Sequence, residues 1–332
     1  AIVGTVSGTS ISYGSEVTVS ASSATQCDII FDSSNNKMVV VYQDSGDSDK
    51  GKAHVGTVSG TSISFGSAVV FNTGASEYHR GVFDSNAGKV VIVYKDGGNS
   101  NRPTFVSGTV SGTSISFDTE TVLKDVEGVT IFPGVAFDST NNRVVAAYLD
   151  TTGSDNGLAQ VIKTGFSKDT GGTIADGSSV IINADGTVST VAQVDAAGGT
   201  PVAFETGGQA RYTSVAYDSA NQKVVVAYED VSNSEHGTAI VGTVNASDNS
   251  ISFGSAAIFE SAEVKYVAIT YDSNAGKVVI AYSDGGNSDY GTAIVGTVSG
   301  TSISFGSPTV FKSGNTDYIR IVYDSNAQKV VI

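Results

Sequence analysis

The sequence predicts an all-β fold made of one four-stranded antiparallel unit used over and over, and three observations predict it. A motif Asp-Ser-x-x-x-Lys/Arg-Val/Met-Val begins at Asp32, Asp84, Asp138, Asp218, Asp272 and Asp324, so that successive copies start 52, 54, 80, 54 and 52 residues apart. Within each copy the apolar residues alternate with period two rather than 3.6. The two ends complement each other: Ala1 enters at the third strand of a copy, and Ile332 stops inside the second strand of another. Several short strands per repeat of this length mark a propeller blade. Together these predict a six-bladed β-propeller of four-stranded antiparallel blades, one domain over residues 1–332, its ring closed by pairing of the N- and C-terminal strands. An open solenoid would end in capping repeats, whereas these ends are interrupted blades.

The elements of a copy follow in order. Residues 318–323 form a first strand by their alternation, and 324–328 its hairpin turn. One copy earlier, 272–276 carries Asn-Ala-Gly ahead of Lys277, the chemistry of a type I turn with a glycine bulge. Residues 277–283, rich in Val and Ile, form a second strand, and 284–289 a polar loop. Residues 292–298 form a third strand, Ser299-Gly300-Thr301 a tight turn, and 302–311 a fourth strand. The 80-residue spacing places one large insertion in the middle of the chain. Aligning Ile174 with Ile303 assigns it to 184–210, between a fourth strand and the next blade, on the face of the longer loops. Loops of that kind carry function while the sheets hold them.

Composition narrows the partners. Asp and Glu outnumber Lys and Arg by 33 to 18, and the net charge is −15. Such a surface repels phosphate backbones and anionic lipid, which argues against nucleic acid and membrane insertion. No apolar run approaches membrane-spanning length, and no signal peptide is visible. The single cysteine, Cys27, allows no internal disulfide and reads as a small buried apolar residue. A chain starting at Ala1 rather than Met is expected to be a processed piece of something longer.

Catalytic motifs are absent: no His-x-x-x-His, Glu-x-x-His, cysteine pair, Gly-x-Ser-x-Gly or Gly-Lys-Ser/Thr occurs. The candidates are residues that break the repeat. His54 stands where Ile240 and Ile294 do, and His236 where Tyr290 does. His79 lies on a first strand beside Arg80, and the pair reads either as drift of one blade or as ligand contacts. An aromatic ring recurs at the start of the first strand, at Tyr78, Phe132, Tyr212, Tyr266 and Tyr318, with Gln26 in the remaining copy. These rings either pack between blades or offer faces for sugar stacking. With Phe204 of the insertion, the candidate ligand-binding set is Tyr78, His79, Arg80, Phe204, Tyr212, Tyr266 and Tyr318.

The recurring acidic loop supplies calcium candidates: Asp44, Asp47 and Asp49 in one copy, Asp284 and Asp289 in another. Oxygen-rich loops with glycine wrap calcium, but Asp and Asn also cap such turns by accepting from backbone N–H groups. No other cofactor is indicated. Paired carboxylates for glycoside hydrolysis stay open, since different blades can supply them. Most acidic residues recur in every copy, which points to structural work.

The run Ala293-Ile294-Val295-Gly296-Thr297-Val298-Ser299-Gly300-Thr301-Ser302-Ile303-Ser304-Phe305-Gly306-Ser307, with Tyr271-Asp272-Ser273-Asn274-Ala275-Gly276-Lys277-Val278-Val279, resembles a repeat of large structural proteins of marine tailed bacteriophages. The resemblance covers nearly the whole chain apart from the insertion. It implies a virion-associated tail or fibre module contacting a host surface, and it transfers no functional residue. The expectation is a non-catalytic binding module, extracellular or on a virion surface. Its expected partners are a host-surface glycan or protein receptor and the rest of a larger parent protein. A purely structural spacer and a propeller glycoside hydrolase are the alternatives.

Overall fold

The computed structural model describes the chain apart from residues 8–9, 125–132, 151–155, 165, 170–179, 183–187, 194–196 and 325–327. Among the described residues the regular structure is strand, interrupted by single 3-10 turns at Gly97–Asn99, Val231–Asn233 and Gly285–Asn287. No described helix is long and apolar enough to cross a membrane.

The repeating unit is the expected antiparallel meander. Around Asp272 the first strand pairs with Lys277–Asp284, from Asp272↔Lys277 to Val264↔Asp284. Lys277–Asp284 pairs in turn with Tyr290–Ser299, which takes Ser302–Phe305 and Thr309–Asn315 as two halves of a fourth strand. Two strands of 16 residues, Val69–Asp84 and Ala257–Asp272, belong to two units at once. Their first halves are a fourth strand and their second halves the next unit's first strand.

Each second strand reads as an unbroken apolar run (Met38 to Tyr42, Val90 to Tyr94, Val224 to Tyr228) because both of its faces are covered by neighbouring units. Val39, Val41, Val90, Val225 and Ile280 are all fully buried, each worth about 2 kcal/mol of transfer free energy. The turns after the first strand are held by their leading aspartates. Oδ1 of Asp32, Asp84, Asp138, Asp218 and Asp272 accepts the backbone N–H groups two and three residues on, at 2.9–3.1 Å. A left-handed residue closes each turn, Gly276 at φ 63° among them, as the turn chemistry predicts.

Two glycine contacts fix the packing. A phenylalanine of the fourth strand lies over a glycine of the third: a Cβ on Gly51, Gly157, Gly237 or Gly291 would sit 2.4–2.6 Å from the ring of Phe71, Phe204, Phe259 or Phe311. A second glycine abuts the next unit's hairpin, so that a Cβ on Gly14, Gly66, Gly199 or Gly254 would lie 1.8–2.0 Å from the carbonyl oxygen of Thr61, Thr113, Asn249 or Thr301.

These contacts correct the placing of the insertion. Gly199 N donates to Val161 O at 2.7 Å, as Gly66 does to Val55 and Gly254 to Val241. Ala197–Gly198 and Val202–Glu205 pair with Asn156–Lys163, so they are the unit's own fourth strand rather than part of an insertion beyond it. The additional chain lies earlier, between third and fourth strands, where Phe166–Asp169, Val188–Gln193 and Val180–Ile182 form a separate three-stranded sheet. A third-to-fourth connection leaves the meander at the end of the short turns, not at that of the longer loops.

First strands of successive units pack side by side, and Gly81 N donates to Asp28 Oδ2 across one such junction at 2.8 Å. At the ends, Gly4–Ser7 pairs with Ser10–Tyr13, and Val322–Asp324 with Lys329–Val331. The contact of Gly14 with Thr61 sets the N-terminal hairpin beside the first full unit in the manner of a preceding blade. The expected pairing between the two terminal segments is not among the described registers, which keep each hairpin as its own sheet. A cleft of about 870 Å³ opens there, lined by Ala1, Cys27, Ile29, Phe31, Val331 and Ile332. Cys27, expected in the core, is exposed beside it.

Candidate functional site

The site begins with a bulge that the repeat carries in the first strand. The register jumps from Thr25↔Gln43 to Asp28↔Val41, from Glu77↔Lys95 to Arg80↔Val93, from Arg211↔Glu229 to Ser214↔Ala227, and from Lys265↔Ser283 to Ala268↔Ala281. Two residues therefore oppose one each time, and the one is always a buried tyrosine: Tyr42, Tyr94, Tyr228 or Tyr282. The first bulged residue is left-handed, with φ of 53° at Gln26, 57° at Tyr78, 48° at Tyr212 and 53° at Tyr266, and Tyr318, at the same repeat position, has φ 55°. Glycine takes this conformation freely, whereas a tyrosine there is strained by about 1–3 kcal/mol.

The bulge turns the rings toward one another. Tyr212 and Tyr266 have centroids 5.1 Å apart, and Tyr266 and Tyr318 5.0 Å apart, with tilts of 49° and 43°. This ladder borders a cavity of about 200 Å³, whose lining also includes Arg80, Thr213 and Arg320. Tyr318 is 76% exposed, so the ladder ends at solvent. Tyr78 lies apart from the ladder, with Lys95 Nζ 5.7 Å above its ring and its N–H donated to Gln26 Oε1. Phe132 lies outside the described residues.

The other candidates fall elsewhere. His79 is a core residue rather than a ligand contact: it is fully buried, edge-on to Phe71, and bonded to Ser76 Oγ at 2.6 Å and Gln26 O at 3.1 Å. Burial pushes its pKa down to about 4, with the positive charge of Arg80 adding to the effect. Phe204 is also core, packed on Tyr228 and Phe253 in the place that Phe71 and Phe259 hold. His54 bonds the Tyr42 hydroxyl and the Gly66 carbonyl.

The acidic loops are engaged as caps and ion pairs, not gathered as an oxygen cage. Asp44 accepts from Gly46 N at 3.0 Å and Ser22 Oγ at 2.6 Å, and pairs with Lys52 at 2.8 Å. Asp47 pairs with Lys50 and Lys52, and the hydrogen bond from Lys52 holds both carboxylates below their usual range. Asp49 is a left-handed turn residue. Asp289 lies 3.9 Å from Lys265, and burial followed by the Glu260 charge pushes Asp284 up. Among the described residues no three His, Cys, Asp or Glu converge on a metal position.

Two residues of the cavity lining escape a reading of single copies, Thr213 and Arg320, and Asp28 stands close by. Arg320 stands two residues after Tyr318, as Arg80 does after Tyr78, and Asp28 holds that position in the first copy. A charge recurring at one repeat position was the available signal. Beside the ladder, Glu229 is 2% exposed with Arg211 at 3.7 Å. Burial pushes its carboxyl up to about 7; Arg211 opposes the rise, and Glu235 and Glu263 add to it.

No family model and no curated protein sequence matches the chain. Among solved structures it is similar to a triple arginine-to-alanine mutant of AofleA from Arthrobotrys oligospora, with a TM-score of 0.51 at 9% identity over 92% of this chain and 77% of that one. Unmutated AofleA gives 0.48 at 10% identity over 92% and 76%. The Hadza microbial sialidase Hz136 gives 0.43 at 11% identity over 88% and 59%. The first likeness is one of fold alone, an all-β, propeller-like architecture.

Proposed function

We propose that the chain is a non-catalytic glycan-binding module, a six-bladed ring whose first-strand bulges present tyrosines at the mouth of its channel. The observation that carries this is the ladder Tyr212–Tyr266–Tyr318, held on strained left-handed backbone at the edge of a cavity. Glycine or asparagine would make the same bulge with less strain, so repeated tyrosines are best explained by use of their rings. Two terminal hairpins flanking five full units support a sixth, shared blade. The described lining of the cavity holds no carboxylate, which favours binding over glycoside hydrolysis, where two are needed. The setting we propose, from the repeat's resemblance, is a virion-associated module that contacts a host surface.

A glycan array of the folded protein tests this. Specific glycan binding is expected, and Tyr266→Ala, which removes the middle rung, is expected to weaken it about tenfold. Silence from the folded wild type, or binding indifferent to Tyr266→Ala, would turn the reading toward a structural spacer or a protein receptor.

A further inference from the structure

We propose that the cavity beside the tyrosine ladder takes the carboxylate of an acidic sugar, held between Arg80 and Arg320. This rests on the glycan reading above and adds the class of sugar. Both arginines line the cavity, and among the described residues each donates Nη1 only to the carbonyl of its preceding residue, Arg80 to His79 O at 2.7 Å and Arg320 to Ile319 O at 2.8 Å. Among the described residues neither guanidinium makes an ion pair. The carboxylate that acts on both, Asp28, is bonded through Oδ2 to Gly81 N. Two cations facing one carboxylate leave a positive site on a chain of net charge −15.

The guanidinium groups also act on each other. Burial, and then the charge of Arg320, pull the Arg80 pKa down, and an anion between the two would offset their repulsion. A planar fork of N–H donors matches a carboxylate in two parallel bonds. Thr213, in the same lining, keeps a buried Oγ1 without a hydrogen-bond partner among the described residues. The tyrosine faces then take the sugar ring. A volume of about 200 Å³ lies below the roughly 300 Å³ at which drug-sized pockets begin, so the occupant is a single terminal residue.

Calorimetric titration of the whole chain with methyl uronides of the gluco, galacto and manno series, their neutral glycosides and their 6-sulfates tests the assignment. One uronide is expected to bind at least tenfold more tightly than its neutral counterpart. Arg80→Gln and Arg320→Gln should each weaken uronide binding far more than neutral binding and so erase that preference, while Arg320→Lys should keep part of it. Arg320 is exposed, so its variants test the contact without threatening the fold. Equal binding of uronide and neutral glycoside, or a preference that survives both glutamine variants, overturns the carboxylate subsite. If neutral binding still depends on Tyr266, the glycan reading stands without it. Preference for the sulfates overturns the carboxylate in favour of a sulfate ester. Absence of any uronide binding overturns the subsite, and loss of all sugar binding overturns the glycan reading as well.

Discussion

Replacing Gly254 by alanine is expected to destabilise the fold by about 3 kcal/mol or more. The new Cβ would stand 2.0 Å from the carbonyl oxygen of Thr301 and 2.9 Å from its carbonyl carbon. That neighbour is backbone in the next unit's hairpin, so no side-chain rotation relieves the overlap. The units must part, and parting them opens the packing of Val241, Val298 and Ile303. It also pulls on the bond from Gly254 N to Val241 O, 2.9 Å long. Gly66 meets Thr113 in the same way at 1.9 Å and should respond alike. Gly300→Ala is the control, because Gly300 has φ 61° and nothing within 4 Å, so only left-handed strain of about 1–2 kcal/mol arises. Urea midpoints of the three variants give the comparison. If Gly254→Ala melts with Gly300→Ala, the unit-to-unit contact does not hold the sheets together.

That contact shows where sequence reading stops. The strands and Asp-led turns are legible because period-two alternation and one turn chemistry recur in copy after copy. The fourth copy misleads because Ile174, Gly177 and Ser178 imitate the usual Ile-Ser-Phe-Gly-Ser run, while the strand that bonds to Val161 reads Ala-Gly-Gly-Thr-Pro-Val. Only hydrogen bonding separates the two. Phe204 looks like decoration under the first alignment and becomes the ring over Gly157 under the second. The recurring tyrosines are visible in the sequence, but their left-handed backbone is a property of register, which linear spacing does not carry. His79 draws attention by its chemistry, whereas Phe71, Ser76 and Gln26 decide its burial. Bringing Arg320 into one cavity with Arg80 takes residues far apart in the chain, a tertiary fact.

Two buried groups with opposed titrations are expected to leave their combined contribution to stability nearly flat between pH 4.5 and 6.5. His79 falls from an ordinary 6.5 to about 4 on folding. The unfolded chain therefore binds its proton first, and the stability contributed by neutral His79 is whole above pH 6.5 and lost as pH falls to 4. Glu229 rises from 4.5 to about 7. Here the folded chain holds the proton longer, so the contribution is whole below pH 4.5 and lost as pH rises to 7. Each shift corresponds to about 3 kcal/mol, and one proton gained opposes one proton lost across the shared window. Glu229→Gln should gain on the wild type by about 3 kcal/mol between pH 4.5 and 7.5. His79→Thr, which installs the residue that Thr213 supplies at the same repeat position, should instead gain on the wild type as pH falls from 6.5 to 4. Other shifted carboxylates, Asp28 and Asp284 among them, are common to all three proteins and drop out of the differences to first order. Urea midpoints at pH 4, 4.5, 5.5, 6.5 and 7.5 resolve the two curves. A Glu229→Gln difference that stays level would mean that Glu229 is ionised in the fold throughout, with Arg211 close enough to hold its charge.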